Sequence, residues 1–117
     1  MKLTLPARLA LTSLASMARL AVELVRQAVG ALERLDASSV ADAAEREAQL
    51  DATLRGVLRS LISYMVEDPR TISSCLDMLF VAKSFERIGD HATNLFEHVI
   101  YAVRGEDLRH TAPFSSQ

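Results

Sequence analysis

With 117 residues, half of them hydrophobic, the chain is long enough for one domain with a buried core. Thirteen basic against fifteen acidic side chains, a net charge of −2 and a pI near 5.9 exclude a dedicated nucleic-acid binder, and 5% aromatics with no Trp offer bases no stacking platform. One cysteine, Cys75, excludes an internal disulfide, and four Gly with three Pro are too few for a β-protein built on tight turns.

The first element is read from about Pro6 to Leu35. Leu14, Met17, Ala21, Leu24, Ala28 and Leu35 recur at helical steps, with Ser16, Arg19, Glu23, Gln27 and Arg34 on the other side. Pro6 suits a first turn, where its missing N–H has no intrahelical partner. Arg19, Glu23 and Arg26 interrupt the most apolar stretch, so it is neither a membrane span nor a signal peptide. A soluble, cytoplasmic protein is expected, peripheral to a membrane at most.

The run Asp36-Ala37-Ser38-Ser39 breaks the pattern, and Ser39 with Asp42 resembles a capping box opening a second helix over about 40–66. Asp68 and Pro69 read as N-cap and first residue of a third helix over about 69–104, with Gly105 as its C-terminal cap. Residues 106–117 read as a loose tail. Short connections make sequential helices antiparallel, so the expected fold is all-α: an up-down-up three-helix bundle over residues 1–105. Helices of roughly 40 to 50 Å follow from the helical rise. Cys75, Met17, Met65 and Met78 fit core positions.

Facing residues of an antiparallel hairpin have position numbers with a constant sum. One register pairs Met65 with Ile72, Leu61 with Leu76, Leu58 with Leu79 and Leu54 with Lys83. Continued outwards, it pairs Asp51 with Glu86 and Glu47 with Asp90. The apolar zipper then gives way to four carboxylates at one height on two helices. Such a cluster needs protonation, Arg or Lys neighbours, or a bound cation, and oxygen donors suit Mg²⁺, Mn²⁺, Ca²⁺ or iron. Gly89 beside Asp90 points to close approach of a helix or an ion there. The plainer reading has these acids facing water, because Phe85, Ile88, Ala92, Leu95 and Val99 form an apolar stripe roughly opposite Glu86 and Asp90. Arg46, Lys83 and Arg87 would then supply ordinary salt bridges.

His91, His98 and His110 do not follow a seam acid at the spacing of a Glu-x-x-His site, and His98 and Asn94 read as surface residues. No phosphate-binding Gly loop, HExxH or nucleophile elbow occurs, so an enzyme is not expected. A di-metal bundle enzyme would need His ligands that this pattern lacks. A helical dimerisation module without metal is the other alternative.

Two stretches carry a resemblance: Ser60-Leu-Ile-Ser-Tyr-Met-Val-Glu-Asp-Pro-Arg-Thr-Ile72 and Val81-Ala-Lys-Ser-Phe-Glu-Arg-Ile-Gly-Asp-His-Ala-Thr-Asn94. They resemble the PhoU family of phosphate-transport accessory proteins, and the similarity covers about residues 9–110. The family typically has two three-helix repeats, and this chain looks like the second. The resemblance maps the family's acidic-x-x-x-Asp motifs onto Glu47 with Asp51 and Glu86 with Asp90, with Asn94 one turn further on as a supporting position. It implies a multinuclear metal, iron or otherwise Mg²⁺, Mn²⁺, Zn²⁺ or Ca²⁺. It also implies an inhibitory adaptor linking a phosphate ABC transporter ATPase subunit to a membrane sensor histidine kinase. Self-association is expected for an isolated repeat.

Overall fold

The computed structural model describes residues 5–111 of the chain. Three long helices form: α1 over Leu5–Arg34, α2 over Val40–Glu67 and α3 over Ile72–Thr111, with a 3₁₀ turn at Pro69–Thr71. No strand occurs among the described residues, and the up-down-up bundle measures 70 × 19 × 18 Å.

Apolar periodicity builds the bundle. On α1 the buried positions Ala7, Ala10, Leu14, Met17, Ala21, Leu24, Ala28 and Ala31 alternate steps of three and four, which keeps one narrow seam facing inwards. Ala43, Leu50, Leu54, Val57 and Leu61 do the same on α2, as do Cys75, Ala82, Ala92, Phe96 and Val99 on α3. Met65 and Met78 pack partly buried against this core. Among the described residues no polar or charged side chain is fully buried, so apolar burial rather than an interior ion network holds the helices together.

The α1–α2 corner corrects two expectations. Leu35 belongs to the connection, not to the seam: it is 41% exposed and has left-handed backbone geometry at φ 51°. Asp36 N–H donates to the Ala31 carbonyl at 3.0 Å and Leu35 N–H to that of Leu32 at 3.3 Å, the pattern that closes a helix on a left-handed residue. Ser39 precedes α2 but makes no side-chain cap bond. Its supposed partner, Asp42, is taken by Arg46 one turn on and by Gln27 Nε2 of α1 at 2.7 Å. Asp36 instead organises the corner, accepting from Ser38 N–H at 2.9 Å, and this hydrogen bonding holds its carboxyl below the usual range.

The α2–α3 corner has the expected cap. Asp68 accepts from Arg70 N–H at 3.2 Å, Pro69 follows it, and the element it opens is the short 3₁₀ turn leading into α3. The Arg70 side chain binds the same carboxylate at 3.0 and 3.2 Å, lowering the Asp68 pKa and raising its own.

At the far end, Gly105 is not a cap. α3 runs through it to Thr111, and no glycine has positive φ, so residues 106–111 are helical rather than a loose tail. A lone glycine costs a helix about 1 kcal/mol, which the well-tolerated Glu, Leu and Arg beyond it sustain. The rest of that predicted tail, 112–117, lies outside the described residues. At 40 residues, α3 extends roughly 60 Å, well beyond the other two helices.

Leu35 supplies a stability test. A Leu35→Gly variant relieves a left-handed Leu, offset in part by glycine's freer unfolded chain, and gains about 0.5–1 kcal/mol in urea denaturation. Leu35→Ala keeps the backbone strain and shows no such gain.

Candidate functional site

Near the middle of the bundle α2 approaches α3 closely at Gly89. A Cβ added at Gly89 would stand 2.7 Å from Leu50 Cδ2 and 3.7 Å from Leu24 Cδ1, so one methyl of α2 occupies the space a side chain would need. Leu50 is 2% exposed and Leu24 1%. Gly89 therefore serves close approach of a neighbouring helix, the first of the two reasons its position suggested.

That contact corrects the seam. The apolar strip does not stop at Leu54 and Lys83. It continues through Leu50 and Ala43 on α2 and through Gly89, Ala92, Phe96 and Val99 on α3. Ile72 and Leu76, assigned to the seam, are 43% and 39% exposed, and Lys83 lies on the surface. The inward face of α3 is rotated toward Cys75, Ala82 and Gly89, about one position from the face first assigned. The reason is steric: Gly89 offers no side chain, and Leu50 fills the space one would need.

The acids consequently flank the seam. Glu47, half-buried, accepts a hydrogen bond from Thr93 Oγ1 of α3, so it reaches one turn beyond Asp90, its expected counterpart. Asp51 is exposed and pairs with Arg55 on its own helix at 3.5 Å. Glu86, with its side chain 24% accessible, binds Lys83 Nζ at 2.7 Å. Asp90 and Asn94 are exposed, as are His91 and His98. Of the three cations suggested as partners, Lys83 pairs with Glu86 while Arg46 serves Asp42. Among the described residues no group of three or more His, Cys, Asp or Glu side chains lies where it could hold one ion. As arranged, the set does not fit an ion shared by three acidic donors.

Sequence reading missed two interhelical links that fix this region: Thr93 with Glu47, and Gln27 with Asp42. Thr93 was visible as a hydroxyl one turn past Gly89, but nothing in the pattern marks which of several neighbouring hydroxyls meets an acid.

A PhoU domain model matches residues 14–99. The chain belongs to the PhoU family. Similar proteins include the phosphate-specific transport system accessory protein PhoU homolog of Pseudomonas putida, 46% identical over 87 residues, covering 74% of this chain and 34% of that one. The homolog of Xylella fastidiosa (strain Temecula1) is 37% identical over 105 residues, covering 90% and 44%. The accessory protein PhoU of Escherichia coli K12 is 38% identical over 100 residues, covering 86% and 42%. The chain thus spans less than half the length of these PhoU proteins. No solved structure gives a significant match. No helix among the described residues is long and apolar enough to cross a membrane. The matched segment contains the whole Leu24–Leu50–Gly89 contact and all five candidate residues.

The contact predicts a non-additive pair. Leu50→Ala costs about 2–5 kcal/mol in chemical denaturation, since it opens a cavity against a residue with no side chain. Gly89→Ala is near neutral or destabilising beside Leu50, where overpacking opposes its helix-propensity gain. In the Leu50→Ala background the same change becomes stabilising by about 1 kcal/mol, and a double-mutant cycle reads the difference.

Proposed function

We propose that this chain is a regulatory adaptor of phosphate homeostasis. It links a phosphate ABC transporter ATPase subunit to a sensor histidine kinase and restrains uptake and the starvation response when phosphate is plentiful. The observation that carries this reading is the name shared by relatives that match most of the chain, each an accessory protein of a phosphate-specific transport system. The structure supports it by its chemistry: long helices with no buried charged side chain among the described residues and exposed apolar side chains give much to bind with. The adaptor acts by contact rather than catalysis, on the cytoplasmic face of the transporter.

Deleting the gene is expected to switch on a phosphate-starvation reporter in phosphate-rich medium, and the tagged protein is expected to co-purify with the transporter ATPase or the kinase. A reporter that stays silent, together with a folded protein that binds neither, overturns the reading.

A cation on the α2–α3 flank is the second part of the proposal, with Glu47, Asp51, Glu86, Asp90 and Asn94 as donors and iron as the first choice. It is supported by the resemblance and by the accessibility of the groups now engaged. Arg55 is exposed on Asp51 and Lys83 on Glu86, and such surface pairs are worth only about 0–1 kcal/mol. The side chains would have to leave those partners, and Glu47 to leave Thr93, to share an ion. Metal analysis of protein purified without chelator should show metal in the wild type and a clear loss in a Glu86→Ala/Asp90→Ala double variant. Equal, negligible content in both removes the metal and leaves the adaptor reading standing.

A further inference from the structure

Val22, Val25, Val81 and Ile88, each 38–50% exposed, leave an apolar face on α1 and α3, but nothing there selects an occupant. The outer flank of the α2–α3 hairpin does. The Glu47–Thr93 link marks that flank. Helical steps of three and four from Glu47 along α2 pass Asp51, Arg55, Arg59, Ile62 and Val66. The same steps from Thr93 back along α3 pass Asp90, Arg87, Lys83, Phe80, Leu76 and Ile72. Each of these side chains is exposed. With Leu50 facing Gly89, the hairpin register sets Arg59 level with Phe80 and Ile62 level with Asp77.

The flank is therefore banded along its length. Nearest the α2–α3 corner stands an apolar band: Ile62, Val66, Leu76 and Phe80 are 54, 76, 39 and 64% exposed, with Ile72 beside them. These side chains form a patch on the scale of the largest found on a typical monomer, roughly 300–600 Å². Next comes a cationic band of Arg55, Arg59, Lys83 and Arg87, and beyond it lie the acids already described. Arg55 and Lys83 are engaged by Asp51 and Glu86. Arg59 and Arg87 have no ionic or hydrogen-bonded partner among the described residues.

We infer that this flank docks an amphipathic helix of a partner protein, with apolar residues at one end and carboxylates about two turns away. Charge complementarity carries the choice. From Val66 to Arg55 the two helices offer three turns of groove, roughly 16 Å long. An apolar stretch laid over Ile62, Val66, Leu76 and Phe80 takes that surface out of water. Its carboxylates then reach Arg59 and Arg87, the two cations left unpaired. The orientation is fixed as well. Glu67 and Asp77 directly follow Val66 and Leu76 and are exposed, so negative charge borders the apolar band and repels carboxylates there. The same two acids disfavour an anionic membrane, whose headgroups would surround the apolar band on every side. The inference deepens the adaptor reading and rests on it for the existence of a partner.

The probe is a designed, fluorescently labelled helical peptide of about four turns, with Leu at helical spacing in one half and Glu in the other. Titrated with the full chain, it should bind, as read by fluorescence anisotropy. Phe80→Asp and Arg59→Glu/Arg87→Glu should each weaken binding at least about tenfold, as should Lys in place of Glu in the peptide. The substituted positions are exposed, so circular dichroism stays helical. Arg19→Glu/Arg26→Glu makes the same charge change on α1 and should leave binding unaltered. The inference is overturned by no binding, by undiminished binding in both flank variants, or by equal binding of the Lys peptide. It is also overturned if Phe80→Asp abolishes sedimentation with phosphatidylglycerol vesicles or dissociates a dimer, since a membrane or a second copy then occupies the flank. Neither transporter nor kinase is present, so failure here leaves the adaptor reading to its own reporter and co-purification test. A silent reporter, in turn, leaves peptide binding untouched.

Discussion

Leu50 of α2 pressed against Gly89 of α3, with Leu24 of α1 closing beside them, is the constraint on which the arrangement of the bundle depends. Three rods packed this closely cannot also hold a charged cluster on the same line, because desolvating carboxylates in an apolar seam would cost several kcal/mol per group. The tight point therefore sets the rotation of α3, and that rotation decides which residues are inside. Once Gly89 faces α2, Ala82, Ala92, Phe96 and Val99 follow it inwards, while Glu86 and Asp90 move to the edge.

Much of this was legible from residues alone. The α1 seam was readable from Leu14 to Ala28, where alternating steps keep larger apolar side chains on one face, while Ala7, Ala10 and Ala31 were not among the residues read. Asp68-Pro69 was readable because a proline fixes its own φ and cannot continue a preceding helix. At Leu35 and along the α2–α3 seam, short-range pattern competed with long-range packing, and packing decided. Leu35 fits the period but sits where the chain must turn. Gly105 fits a terminator, yet the residues after it keep the helix going.

The candidate site shows the same limit at finer scale. Constant-sum pairing set Glu47 opposite Asp90, whereas Glu47 meets Thr93, one turn further along α3. It could not fix rotation, since a shift of one position on α3 exchanges the inward face for its flank. On the flank Thr93 engages Glu47, Arg55 engages Asp51 and Lys83 engages Glu86, each singly. What the fold offers at its surface is thus an acidic edge on α2–α3 and a broad apolar face on α1–α3.

The account stands on the seam being continuous through the level of the acids, which native-state hydrogen exchange reads directly. Backbone amides of α3 from Ala82 to Val99 should exchange only through global unfolding, without a break at Glu86–Asp90, and with the same protection in chelator as in added divalent metal. A loss of protection confined to 86–90, dividing α3 into two separately opening segments, would contradict it.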